Sequence, residues 1–317
     1  MPRPIIYLFP GQSSRDPEMF TRLASLSEQA ARGAHAAIRS GLGHDLAFAF
    51  TSNQDIQLAV FAANQAYRTL LNDAGLEALA SAGLSLGEYN HLVEIGALDG
   101  AAAVDLVAKR GAAYDAGPEG VMAALQPLAA EDAEELLGEL HELHGWPLGE
   151  IALSNDNSPS QCVVAGSTAA VDTFIEAAAE RFFAMATIIE QRAPMHSPRF
   201  APVLNSFGAA LDQAPLQRAN KTYWPNVTAK PLNQAEGTDI RALLRRHVTE
   251  CVRWRQTIDA LDKQYSEAVF VEVGPRTILG NMLTRRWLPR ERVVSVDDGR
   301  STFPEILIKI GDLCGRA

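Results

Sequence analysis

The chain has 317 residues, 47% hydrophobic and 21% charged, with a formal net charge of -10. This is soluble globular composition with room for one large domain, or a large and a small one; an acidic surface disfavours nucleic acid as a partner, and no apolar run reaches the length of a membrane span. Cys162, Cys251 and Cys314 are far apart and lack Cys-x-x-Cys spacing, which indicates neither a disulfide framework nor a zinc site and fits a reducing cytoplasm.

Residues 4–9 read as a buried first strand, too short for a secretory signal core and ended by Pro10-Gly11. The loop at 10–14 then lies at the carboxyl end of a strand, where open α/β sheets place their sites. Helices are predicted over 20–38 and 56–74, the second with a broad apolar face. Residues 79–82 read as a short buried strand and 88–95 as the start of a helix. Between them stands Gly83-Leu84-Ser85-Leu86-Gly87, a Gly-x-Ser-x-Gly nucleophile elbow. Such a turn strains the serine backbone, projects its hydroxyl, and leaves no room for a Cβ at either glycine. The N–H of Leu86 then points to where an oxyanion could form.

A helix over 101–113 ends before Gly117-Pro118-Glu119-Gly120, a natural subdomain boundary. The pattern changes beyond it. Strands at 121–125, 151–154, 161–165 and 184–189 alternate with helices at 130–144 and 168–180, with a turn at 155–159. That order, β-α-β-β-α-β, is the ferredoxin-like split unit. Residues 121–190 are therefore expected to form a small ferredoxin-like α+β subdomain. It would be inserted into a large α/β-hydrolase-like domain with a parallel central sheet, built from 1–120 and 191–317. The large part resumes with a loop at 192–200 carrying Pro194-Met195-His196-Ser197-Pro198. Helices follow over 199–211, 238–247, 254–263 and 278–286, strands over 223–227, 269–273 and 293–296, and a final helix from residue 303.

Several of these strings resemble one family. They are Phe9-Pro10-Gly11-Gln12, the elbow with Glu88-Tyr89, Arg110-Gly111, Asn157-Ser158-Pro159 with Val163-Val164-Ala165-Gly166, residues 194–197, Asn226-Val227-Thr228-Ala229 and Glu272-Val273-Gly274-Pro275. Each is weak alone, but their order and rough spacing are similar to those of the malonyl-CoA:acyl carrier protein transacylases, including free-standing acyltransferases of polyketide synthases. The resemblance spans about residues 5 to 285 and implies a large α/β-hydrolase-like domain with a ferredoxin-like insert.

It also implies a two-step acyl transfer through a serine ester, with Ser85 as nucleophile and His196 as its base. The backbones of Gln12 and Leu86 would form the oxyanion hole. Arg110 would clamp the free carboxylate of a malonyl-type group, because guanidinium is a planar fork matched to carboxylate. The family orients the histidine with a backbone carbonyl, and the matching position is read as Arg253. His35, His44, His91, His141, His144 and His247 are read as surface or core filling. Two departures bear on the acyl pocket. Leu84 stands where the family usually has histidine, and Met195 stands where malonyl-specific members often carry phenylalanine; methionine is flexible and adapts to several shapes.

The resemblance implies coenzyme A thioesters and an acyl carrier protein as partners, no metal and no separate cofactor. Carrier proteins are acidic, so docking calls for local basic groups; Arg241, Arg245, Arg246, Arg285, Arg286, Arg290 and Arg292 are the available clusters. An acyl hydrolase of the same fold, clearing acyl groups from carrier proteins, is the alternative, and Arg110 discriminates, since a hydrolase of neutral chains has no use for it.

Overall fold

The run Ile5-Ile6-Tyr7-Leu8-Phe9 has no polar face, and the computed structural model buries all five residues in the middle of a parallel sheet. The structure describes residues 2–46, 50–285 and 287–315. In chain order the elements are β1 (Ile5–Phe9), α1 (Met19–Leu26), α2 (Glu28–Leu42), α3 (Asn53–Asp73), β2 (Ala80–Gly83), α4 (Gly87–Glu94) and α5 (Gly100–Asp115). Next come β3 (Val121–Gln126), α6 (Ala130–His144), β4 (Ile151–Ser158), β5 (Gln161–Gly166), α7 (Thr168–Phe182) and β6 (Met185–Glu190). The chain closes with α8 (Leu204–Gln213), α9 (Gly237–His247), β7 (Val252–Arg253), α10 (Trp254–Gln264), β8 (Val269–Glu272), α11 (Leu279–Thr284), β9 (Val293–Ser295) and α12 (Phe303–Cys314).

The first sheet runs β2-β1-β8-β9, all parallel. One face packs Tyr7, Phe9 and Val271 against α1, α2, α3 and α12. The other packs Ile6, Leu8 and Phe270 against Trp224, Trp254, Ile258 and Leu283. The register sets Phe9 beside Gly83, so the loop after β1 and the turn after β2 leave the sheet side by side. The second sheet runs β6-β3-β5-β4-β7, and its first four strands are antiparallel, as a split β-α-β-β-α-β unit requires. The fold is thus the α/β arrangement expected, a parallel sheet plus a ferredoxin-like α+β unit.

The differences are local. The helix expected over 20–38 is two helices, broken at Ser27, whose extended backbone lets its hydroxyl accept from Ala30 N and cap α2. The turn expected at 155–159 is strand: β4 continues through two register shifts to Ser158, because Asn155 and Asp156 pair with β7. That two-residue strand, missed in the sequence, adds a parallel edge to the second sheet, and Arg255 ties it down through Asp156 at 2.9 Å. The strand expected over 223–227 reduces to a bridge between Tyr223 and Leu232. The helix expected over 199–211 begins as a 3-10 turn at Pro198–Val203, since two prolines cannot donate to a helical ladder.

Candidate active site

The turn after β2 is a tight elbow. A Cβ on Gly83 would lie 2.0 Å from the Gly87 carbonyl, and one on Gly87 would lie 2.0 Å from Phe9 O. Only glycine fits at either place. Ser85 between them has φ 52°. Asn226 staples this strained turn: its Oδ1 accepts from Ser85 N at 2.8 Å and its Nδ2 donates to Gly83 O at 2.7 Å.

His196 reaches the elbow from the loop after β6 and also carries a positive φ, 55°. Ser197 Oγ donates to Pro194 O at 2.6 Å, and Ser154 Oγ donates to Met195 O at 3.1 Å, which fixes the loop. His196 Nε2 lies 2.7 Å from Ser85 Oγ, and Nδ1 lies 2.6 Å from the His247 carbonyl. The carbonyl requires the proton on Nδ1, so Nε2 is left to accept from the serine. Burial first, then His247 and Arg110, push the His196 pKa well below its ordinary value. A base in that state is proton-free at neutral pH.

The orienting carbonyl is therefore that of His247, and the expectation of Arg253 is corrected. Helix α9 ends beside the base, and the next six residues carry Arg253 away to β7. There its N–H donates to Asn226 O at 2.8 Å and its carbonyl accepts from Thr257 Oγ1 at 2.9 Å.

Gln12 opens a 3-10 turn and Leu86 is the N-cap of α4, so neither backbone N–H has an acceptor within its own helix. A Cβ on Gly11 would lie 2.9 Å from Leu84 O, so the two loops touch. The Gln12 side chain is wedged among Asn53, Gln57 and Glu190. A cleft of about 640 Å³, part of it open to solvent, contains Ser85 and His196. Gly11, Gln12 and Leu84 line one side and Met122, Val163 and Ile189 the other, with Met195 beside the base and Ile278 and Met282 at the rim. The rim helix α11 is anchored by buried Glu272, which accepts from the N–H groups of Ile278, Leu279 and Gly280.

Arg110 is fully buried on α5, its guanidinium 4.2 Å from the Tyr114 ring centre and 5.3 Å from that of Tyr89. None of its three nitrogens meets a hydrogen-bond acceptor. A buried unpaired guanidinium is costly; an anion arriving within its reach would be held strongly. Among the described residues, no three His, Cys, Asp or Glu side chains come together as metal ligands.

Residues 6–294 match the acyl transferase domain family. The chain belongs to that family. This acyltransferase is 30% identical over 292 residues to a malonyl CoA-acyl carrier protein transacylase of Bacillus subtilis, covering 89% of this chain and 71% of the relative. Its fold is similar to FabD from Acinetobacter baumannii, with TM-score 0.87, 30% identity and coverage of 98% and 99%. It also resembles a malonyl-transacylase solved in complex with a type II PKS acyl-carrier protein, with TM-score 0.84, 25% identity and coverage of 97% and 98%. No helix among the described residues is long and apolar enough to cross a membrane.

Most arginines considered for docking serve the acyltransferase's own fold. Arg241 caps α8 through Leu211 O and Ala214 O, Arg245 bonds Gly208 O and Asp212, Arg246 pairs with Glu250, and Arg292 holds Tyr265 O, Ala268 O and Asp262. Arg290 begins the short 3-10 turn before β9. Arg285 lines a groove that shares Ile278 and Met282 with the cleft. Arg286 lies outside the described residues. Asn226 and Glu88 carried no assigned role in the sequence, and the reading of His247 as surface or core filling is corrected, since its carbonyl orients His196. Glu88 had a readable signal in its place directly after the second glycine of the elbow; His247 had none, because its place beside His196 is made only by the fold.

Proposed function

We propose that this acyltransferase carries a malonyl-type acyl group from coenzyme A to the phosphopantetheine thiol of an acyl carrier protein, through an ester on Ser85, in polyketide or fatty acid biosynthesis. The observation that carries the reading is the chain of contacts from Ser85 Oγ through the His196 ring to the His247 carbonyl. In the first half, Ser85 Oγ attacks the thioester carbonyl while His196 Nε2 takes its proton. The oxyanion is held by the N–H groups of Gln12 and Leu86. The C–S bond then breaks, and the proton on Nε2 goes to the departing thiol. In the second half the carrier thiol gives its proton to His196, attacks the ester, and Ser85 leaves with that proton. The cycle balances with the thioester and the thiol alone.

In this reading the body formed by 1–120 and 191–317 supplies the nucleophile, base and oxyanion hole. The lobe of 121–190 covers the acyl group with Met122, Val163 and Ile189. Arg110, whose nitrogens meet no hydrogen-bond acceptor, receives the distal carboxylate. Leu84 and Met195 add apolar, adaptable surface beside the reacting pair, which suits an acyl group with a small α-substituent as well as malonyl itself. The test is intact-mass analysis after mixing with malonyl-, methylmalonyl- and acetyl-CoA. A malonyl adduct is expected on the parent protein, absent in S85A and lost in R110A. Adducts from acetyl-CoA alone, quickly lost to water, would instead favour the hydrolase.

A further inference from the structure

One buried pair of side chains behind the base takes no direct part in acyl transfer. His247 ends α9, is 2% exposed, and stacks its ring on that of His196, with centroids 4.5 Å apart and planes at 18°. Its Nδ1 stands 2.8 Å from Oε2 of Glu88, which is 1% exposed and is the second residue of the elbow helix α4. The contact leaves the other ring nitrogen of His247, Nε2, without a partner. The other carboxylate oxygen accepts from Tyr223 Oη at 2.5 Å and from Asn226 N at 3.2 Å. Asn226 is the residue that staples Ser85. One carboxylate thus braces the nucleophile's turn on one side and the base's support on the other.

We infer that Glu88 and the His247 side chain form a positioning pair for the base: the carboxylate pins the ring, the ring packs flat on His196, and the pinned residue's own carbonyl holds the Nδ1 proton. The inference rests on Ser85 and His196 being the reacting pair. Burial opposes the Glu88 charge, but His247, the Tyr223 hydroxyl and the Asn226 amide outweigh it and hold the carboxyl below its usual range. A carboxylate in a dry interior needs polar partners, and the His247 ring is one of the groups in contact with it. The same ring, face to face with His196, opposes a proton there, as does Arg110 from α5. The other titratable groups around the base are Ser85 on the elbow and Glu190 across the cleft. Around Glu88 they are Tyr223, Tyr89, Tyr114 and His91.

The test uses the full chain. H247Q keeps the carbonyl and removes the ring; E88Q keeps the shape and removes the anion. Single-turnover acylation of Ser85 by malonyl-CoA is followed from pH 4.5 to 8, with thermal unfolding alongside. H247Q is expected to move the acid limb of the rate up by about half a unit or more. E88Q is expected to lower the alkaline plateau about tenfold, with little change in KM. A folded H247Q whose acid limb coincides with the parent's overturns the inference; if H247Q does not fold, an E88Q plateau equal to the parent's does so. Acylation that persists in S85A or H196A is a different failure, of the reacting pair itself.

Discussion

Ser85 Oγ and His196 Nε2 stand 2.7 Å apart across 111 residues of sequence, and both residues hold a positive φ. Each left-handed backbone costs a non-glycine residue roughly 1–3 kcal/mol, so the surrounding packing must hold the pair in place. At the elbow that packing is the contact of Gly87 with Phe9 O. Gly87→Ala is expected to abolish acyl-Ser85 formation and to destabilise the fold by about 2–4 kcal/mol. Intact mass with malonyl-CoA and thermal unfolding measure the two effects. Full labelling with parental stability would show that the elbow has slack the geometry denies.

The depressed pKa of His196 has a definite consequence for the pH profile. The base works only without its proton, and burial, His247 and Arg110 all oppose that proton. Acylation should therefore keep its full rate as pH falls through the ordinary histidine range, and its acid limb should lie below about 6.5. The measurement is kcat/KM for acyl-enzyme formation against pH. A limb at or above that value would mean the base is solvated when substrate enters.

What could be read in the sequence was what is local. The elbow needs only five consecutive residues, and the split β-α-β-β-α-β unit needs only the order of apolar runs between turns. Asn155 and Asp156 were misread because polar residues before a Ser-Pro signal a turn; they pair with β5 in a shifted register and with β7, about a hundred residues away. Arg253 was misassigned for a related reason. The resemblance put the orienting carbonyl at Arg253, and only the packing of the end of α9 makes it that of His247. Arg110 shows both sides: its helix was legible, whereas its complete burial between Tyr114 and Tyr89 came from packing.

Asn226 supplies the amide acceptor for Ser85 and a donor for Gly83 O while buried at 1% exposure. Removing it leaves both backbone groups unpaired in a dry site, at about 1–3 kcal/mol each. Asn226→Ala is expected to cost about 3 kcal/mol of stability and to slow acylation at least about tenfold, since the nucleophile loses its fixed direction. Asn226→Asp retains an acceptor for Ser85 N but loses the donor to Gly83 O, and should fall between the two. An alanine variant as fast as the parent would leave the glycines alone responsible for the elbow.

His91 makes acid sensitivity a property of the fold rather than of the reaction. Its Nε2 accepts from Trp224 N at 3.1 Å, so its proton sits on Nδ1, 2.7 Å from Ser81 Oγ. A second proton would have to displace the Trp224 bond inside the core, and burial brings its pKa down to about 4 from 6.5. The unfolded chain takes up that proton as pH falls below 6.5 while the folded chain refuses it until about 4. Stability is therefore full above 6.5 and declines through that window, by about 3 kcal/mol in all. Denaturant unfolding at pH 7, 6 and 5 reads the slope above the carboxylate range. His91→Gln should lower stability at pH 7 and flatten the decline; a variant that keeps the parent's slope would assign the acid loss to other buried groups, His196 first.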